Sequence, residues 1–294
     1  MNDIHDHVKQ SMWDRIQWIL IQLLPKNTLS RAVGRFAKSR LSRNVIPLYA
    51  KKFQIDLSQA EKQIHQYESL TEFFTRTLQP TARPIAHQKN AIVSPVDGTI
   101  AQIGTIQSGK LIQAKGVTFT IEELVADPSQ LVVYEGGWYV TIYLSPKDYH
   151  RIHMPIAGTP MSYSYIPGQL FPVNALGVRN VPGLFARNER IVTYFATELG
   201  PMAMVKVGAT IVGSVVLEYG PWRTNVKHGK ITHQPIELAE SFQKGEECAR
   251  FEFGSTVILL FPPHTSKRNE TIHSGQIIQM GQEIGRVTAK IDPS

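Results

Sequence analysis

The chain has 294 residues, 31 Lys/Arg against 24 Asp/Glu, and one cysteine. An apolar fraction of 42% with 21 Gly and 18 Pro excludes a collagen-like, disordered or coiled-coil chain. The lone Cys248 excludes an internal disulfide framework and a cysteine-based zinc cluster, and fits a reducing, cytoplasmic-side setting. The charge is uneven. Residues 1–52 hold ten Lys/Arg and three acids, the whole net charge of +7, and residues 53–294 balance at 21 against 21. The pattern is a basic arm on a neutral body, not a nucleic-acid-binding domain.

Asp3 and Asp6 stand where a signal peptide needs positive charge. The most apolar stretch, Ile16 to Leu24, is broken by Gln17 and Gln22 and closed by Pro25, too short for the ~20 apolar residues of a spanning helix. Trp13, Ile16, Ile19, Leu20, Leu23 and Leu24 recur at helical steps. A second helix is expected after Ser30 as its cap, with Arg31, Arg35 and Lys38 on one side and Val33, Phe36 and Ala37 opposite. Such helices either pack on the protein's own core or lie in a membrane interface, with Trp and Leu among acyl chains and the cations on anionic head groups. Residues 1–56 are therefore read as a basic amphipathic segment and 57–294 as the body.

The spacing predicts a helix over 57–80, opened by the capping box Ser58-Gln59-Ala60-Glu61 and stopped by Pro80 and Pro84. From about Ala91 the texture becomes short β-type runs: 138–144, 191–195, 210–217, 251–261 and 276–280. Long alternating helices are missing, which excludes a doubly wound parallel sheet, and there is no dinucleotide fingerprint or P-loop. The expected fold is α+β, a helical N-terminal arm before a β-rich, mostly antiparallel domain.

Four segments can carry chemistry. Ser94-Pro95-Val96-Asp97-Gly98 reads as a turn. Asp148-Tyr149-His150-Arg151-Ile152-His153 brings two histidines three residues apart, able to transfer protons, to bind metal, or simply to be structural. The run from Gly183 to Arg190 is a charged loop. In Phe251 to Leu259, Gly254-Ser255 would ordinarily mark a strand bulge. It also permits a serine hydroxyl to attack the preceding carbonyl, since glycine has no Cβ to obstruct it and a nearby His–Asp pair would remove the proton. Gly213-Ser214 competes on the same grounds.

The combination resembles the pyruvoyl-dependent phosphatidylserine decarboxylase proenzymes of bacteria. The likeness runs from Phe73-Phe74-Thr75-Arg76 and Arg83-Pro84-Ile85 through Ser94 to Gly98, Tyr149 to Pro155, Tyr165 to Gly168, Asn180 to Arg190 and Val207 to Thr210, to Phe253-Gly254-Ser255-Thr256. Phe253 replaces the usual leucine and leaves the scissile pair intact. The resemblance implies a barrel-like catalytic core and self-cleavage at Gly254–Ser255 into chains 1–254 and 255–294. Asp97, His153 and Ser255 would act as carboxylate, base and nucleophile, and Ser255 would become a pyruvoyl group. That ketone would form a Schiff base with phosphatidylserine, release carbon dioxide and give phosphatidylethanolamine, with His150 handling the proton or the carboxylate. No metal is implied. The implied partners are phosphatidylserine, an anionic membrane surface, and the two cleavage chains as a heterodimer that dimerises further, at the cytoplasmic side of the cell membrane. Lys115, Arg187 and Arg190 are candidate phosphate contacts. Residue types alone also admit a metal-dependent hydrolase using His150, His153 and Asp97, and a non-catalytic membrane or nucleic-acid adaptor.

Overall fold

The computed structural model describes residues 26–114, 117–210, 214–220, 224, 229–237, 240–252 and 256–288. The amphipathic stretch Trp13 to Leu24 lies outside them. Helix α1 (Lys26–Lys38) already contains Ser30, which is buried inside the helix and is not its cap. The buried stripe is the small-residue series Ser30, Gly34 and Ala37, while Phe36 is 45% exposed. A 3-10 turn (Arg40–Val45) leads into α2 (Ile46–Phe53), which has Pro47 in its first turn and stops at Gln54 in the left-handed conformation. Ala37, Ile46 and Ala50 join Tyr67, Phe73 and Phe74 in one core cluster.

The long helix expected over 57–80 does not form. Ser58 does not cap a helix, because its own amide donates to Asp56 Oδ1 at 2.9 Å in a local turn. The chain then doubles back, with backbone bonds from Glu61 to Thr77 and from Gln79 to Gln59. Amides used across the segment cannot serve along it. What remains helical is a 3-10 turn (Ile64–Gln66) and α3 (Leu70–Phe74), capped by Ser69. The apolar residues that suggested a long helix bury through this single turn.

Sixteen strands follow among the described residues. They are β1 (Ala91–Val93), β2 (Gly98–Thr105), β3 (Lys110–Ala114), β4 (Val117–Thr120), β5 (Trp138–Tyr143), β6 (Arg151–His153), β7 (Gly158–Ile166), β8 (Arg190–Thr197), β9 (Gly200–Val207), β10 (Val215–Leu217), β11 (Thr232–Pro235), β12 (Glu247–Phe251), β13 (Thr256–Phe261), β14 (Ser266–Arg268), β15 (Ile277–Ile278) and β16 (Glu283–Val287). Eight form one sheet in the order β11-β7-β8-β9-β13-β5-β2-β15. A second sheet is β10-β12-β6 and a third β1-β16-β14. The eight-stranded sheet ends in β11 and β15 and does not close, so the fold is α+β and β-rich but not a closed barrel.

All six residues of β13 are buried, as the run Thr-Val-Ile-Leu-Leu-Phe requires of a central strand covered on both faces. Ile258 and Leu260 face the cluster containing α2 and α3. Val257, Leu259 and Phe261 face the second sheet, with Ile152, Val215, Cys248 and Phe251. The single strand expected over 251–261 is thus two strands in two sheets. The chain leaves the β10-β12-β6 sheet at Phe251 and enters the large sheet at Thr256.

Candidate active site

The site is built where β6 runs antiparallel to β12. Ile152 pairs with Ala249, Arg151 with Arg250 and His153 with Glu247. One step further, the Phe251 amide donates to the His150 carbonyl at 2.9 Å. The histidine segment therefore lies along the strand that leads to Gly254. The 94–98 turn closes the other side, because the Pro95 carbonyl accepts the His153 amide at 2.8 Å. Phe253, Gly254 and Ser255 lie outside the described residues, between Glu252 and Thr256.

His150 is fully buried, with its ring centroid 4.0 Å from that of Phe74. Its Nδ1 lies 2.8 Å from the Asp148 carbonyl. A carbonyl only accepts, so Nδ1 carries the hydrogen and the neutral ring leaves Nε2 as a bare lone pair. That Nε2 is buried and has no hydrogen-bond partner among the described residues. Burial, and secondarily the Arg76 cation, push the imidazole pKa down to about 3. His150 is thus neutral at physiological pH, and in this state Nε2 accepts a proton before it can donate one. The turn ahead of it is closed by Asp148, whose carboxylate accepts the Ser145 amide and hydroxyl, each at 2.7 Å.

His153 has the same tautomer. Nδ1 donates to the Gly245 carbonyl at 2.9 Å, and the Tyr149 hydroxyl donates to Nε2 at 3.1 Å. Burial holds its pKa below the ordinary histidine value, opposed by the Gly245 bond. Asp97 makes no hydrogen bond to His153 among the described residues. Its carboxylate is engaged by Arg83, with Nε at 2.8 and 3.0 Å and Nη2 in contact, and by the Met280 amide at 2.9 Å. Asp97 and His153 are thus brought to the same turn, but Gly245 orients the imidazole.

The competing pair is close by. Ser214 is buried, its carbonyl accepts the Glu252 amide at 2.8 Å, and its hydroxyl donates to the Glu252 carboxylate. The same carboxylate takes Lys38 of α1 at 2.7 Å. The rival serine is therefore hydrogen-bonded to the residue two positions ahead of Gly254.

Two cavities flank the histidine segment. An apolar one of about 340 Å³ is lined by Tyr49, Phe53, Phe74, Tyr143 and Thr210. Of its lining, Tyr143 is the β5 partner of Thr256, and Phe74 packs on the His150 ring. A polar cavity of about 280 Å³ is lined by Arg76, Arg83, Asp97, Asp148 and Tyr149. The 183–190 run, expected as a charged loop, contains a helical turn (Leu184–Arg187) and leads straight into β8, and its polar groups are used structurally. Arg190 donates to the carbonyls of Leu124, Asn188 and Glu123, Arg187 lies over the Phe171 ring, and Glu189 accepts the Tyr165 hydroxyl. Lys115 lies outside the described residues. Sequence reasoning assigned no role to Arg76, Arg83, Tyr149 or the Gly245 carbonyl. The first three do lie in the motifs that carried the resemblance, which is the signal that could have found them.

A family model for phosphatidylserine decarboxylase matches residues 70–286. The chain is 50% identical over 267 residues to the phosphatidylserine decarboxylase proenzyme of Brevibacillus brevis, covering 90% of this chain and 95% of that one. It is 44% identical over 275 residues to that of Ectopseudomonas mendocina, covering 90% and 95%. It is 42% identical over 289 residues to that of Azotobacter vinelandii, covering 94% and 100%.

Proposed function

Because the chain belongs to the phosphatidylserine decarboxylase family, carboxy-lyases made as proenzymes, we propose that it cuts itself between Gly254 and Ser255 and converts Ser255 to a pyruvoyl group that decarboxylates phosphatidylserine to phosphatidylethanolamine. The observation that carries this reading is the pairing of the His150–His153 segment with the strand leading to Gly254, near an apolar cavity lined by Phe74 and by Tyr143, the β5 partner of Thr256.

In maturation, Ser255 Oγ attacks the Gly254 carbonyl and His153 Nε2 takes the hydroxyl proton, for which Tyr149 must move off that nitrogen. Asp97, held by Arg83, supplies negative charge that favours the His153 cation without touching it. Peptide cleavage passes the Gly254 acyl group from nitrogen to Oγ. Loss of the Ser255 α-proton then eliminates the Gly254 carboxylate, and water hydrolyses the resulting enamine, releasing the Ser255 nitrogen as ammonia and leaving the ketone.

The surroundings suit such a group, since His150, with a bare imidazole nitrogen, lies opposite Phe251 at the end of β12, and an apolar cavity is lined by its neighbour Phe74. When present, a pyruvoyl ketone supplies an electron sink for the substrate's α-carbon. A substrate amine arrives as an ammonium and must lose a proton before it can react. His150 Nε2, neutral and unpartnered, can accept that proton and return it to the α-carbon after carbon dioxide has left. The apolar cavity excludes water from the exchange. Purified protein given phosphatidylserine in mixed micelles should release carbon dioxide and phosphatidylethanolamine in equal amounts. Release of free serine instead would mean a hydrolase.

The membrane is the proposed second partner, with the enzyme peripheral at its cytoplasmic side and the two chains paired as a heterodimer that dimerises further. Among the described residues no helix is long and apolar enough to cross a bilayer. Phe36, Leu41 and Leu48 are exposed on the α1–α2 segment, together with the exposed cations Arg35, Lys51 and Lys52. Apolar side chains among cations suit a lipid interface. Because Ala37, Ile46 and Ala50 are core residues, deleting this segment would disturb the fold, and substitution is the cleaner probe. At ~1 kcal/mol per basic residue near an anionic surface, R35Q/K51Q/K52Q should weaken binding to phosphatidylserine-rich vesicles about 100-fold at low salt. Unchanged co-sedimentation would place the contact elsewhere.

A further inference from the structure

Arg76 is an unusual buried cation. Its residue is 4% exposed, and among the described residues no carboxylate lies within ion-pairing distance of it. Nη2 donates to the carbonyls of Lys147 at 2.9 Å and Asp148 at 3.3 Å, and the guanidinium lies over the Phe73 ring at 5.7 Å from its centroid, while Nε and Nη1 have no hydrogen-bond partner among the described residues. Arg190, similarly buried, spends Nε, Nη1 and Nη2 on carbonyls. An unpaired buried charge is costly, so a fold that retains one calls for a reason. The Asp148 oxygen that Arg76 grips is the same oxygen that accepts His150 Nδ1–H.

We propose that Arg76 is a positioning residue for His150: by holding the Lys147 and Asp148 carbonyls it presents the Asp148 oxygen to Nδ1–H and so leaves Nε2 as the free lone pair at the reacting centre. The inference rests on the reading of His150 as the group that moves the substrate's proton. It has two physical parts. The grip fixes the carbonyl, and the carbonyl fixes the tautomer, because a neutral imidazole with its hydrogen on Nδ1 cannot also carry one on Nε2. The guanidinium charge then opposes a second proton on the ring. Around this pair, Tyr49 of α2, Tyr67, Asp97 and Asp148 act electrostatically on Arg76. The His150 ring itself meets Phe74 of α3, and from β12 Phe251 approaches through its backbone. Removing the Arg76 charge therefore leaves His150 easier to protonate. Burial still holds it below an ordinary histidine.

The test uses full-length, self-processed protein with ¹⁵N-labelled histidine, His150 being assigned by comparison with H150Q. In the wild type, Nδ1 should read as protonated and Nε2 as unprotonated from pH 8 to pH 5. In R76M Nε2 should begin to protonate at the acid end, so that both nitrogens carry a hydrogen. The chain should still be cut, kcat should fall at least tenfold with KM within twofold, and the acid limb of turnover should move to higher pH. R76K keeps the charge but, with a shorter side chain, does not place its nitrogen where Nη2 meets both carbonyls. It should keep the ring neutral at pH 5 and lose three- to tenfold in kcat, and it decides the matter alone should R76M fail to fold. Unchanged His150 resonances in R76M, or wild-type kcat in R76K, would overturn the assignment. Full turnover by H150Q would instead reject the catalytic reading of His150 and leave the tautomer result standing.

Discussion

Replacing Ser255 by alanine should leave one uncut chain of 294 residues and no decarboxylase activity above background. The wild type, by contrast, should yield chains of 254 and 40 residues, the shorter blocked at its N-terminus. The effect is all-or-none because two things vanish together. Alanine has no hydroxyl to attack the Gly254 carbonyl, and no encoded side chain can replace the ketone that the reaction would have produced. S214A is the matched control. Ser214 already donates its hydroxyl to Glu252, so its loss should remove a hydrogen bond without abolishing the cut. Denaturing mass spectrometry separates the outcomes. A fragment of 81 residues would move the processing site to Ser214, and complete processing of S255A would sink the nucleophile assignment.

The second large effect divides the two histidines. H153A should accumulate uncut, since a positioned base is worth ~10²–10⁴ in rate. H150A should be cut at least in part yet decarboxylate ~10²–10⁴-fold more slowly. A fully active, cut H150A would refute its role. The pH dependence follows from the shift. The folded pKa of His150 is depressed to about 3, so its working, neutral form persists well below the pKa of an ordinary histidine. Turnover should therefore show no limb near pH 6.5 from this residue, and a loss that follows its protonation should come only as pH falls toward 3. The unfolded chain takes up a proton on this side chain near pH 6.5 while the native one does not. The contribution of His150 to native stability is thus present above that pH and lost progressively below it.

What could be read from the sequence divides along a physical line. The β13 run was legible because a strand buried on both faces needs an uninterrupted apolar series. The break just before it was not, because Phe251 to Phe261 keeps its alternation while the chain changes sheets. The helix over 57–80 failed for a related reason. Its apolar spacing is real, but the Asp56–Ser58 turn and the return of Gln79 beside Gln59 claim the backbone first. At the site, Asp97, His150 and His153 could be named from the sequence because they fall in motifs that resemble the family's, and that resemblance implies their roles. Their partners could not be. The Gly245 and Asp148 carbonyls are backbone atoms that every residue owns, and the Arg83–Asp97 pair joins positions whose proximity only the fold decides.

The placement of β13 between β9 and β5 has a consequence for the lifetime of the enzyme. Cleavage ahead of Thr256 would leave the short chain supplying the innermost strand of the large sheet, its edge strand β15, and two of the three strands that include β1. Nothing covalent would then join it to the long chain, yet departure would require opening four ladders, two of them along β13. Reassembly would be a bimolecular search by a 40-residue peptide for a slot that was made while the strands were still one molecule. Persistence of the mature form would be governed by how slowly it opens and not by an equilibrium with its unfolded parts. Maturation would thus turn a reversible folding problem into a one-way event, with each molecule given one opportunity to fold.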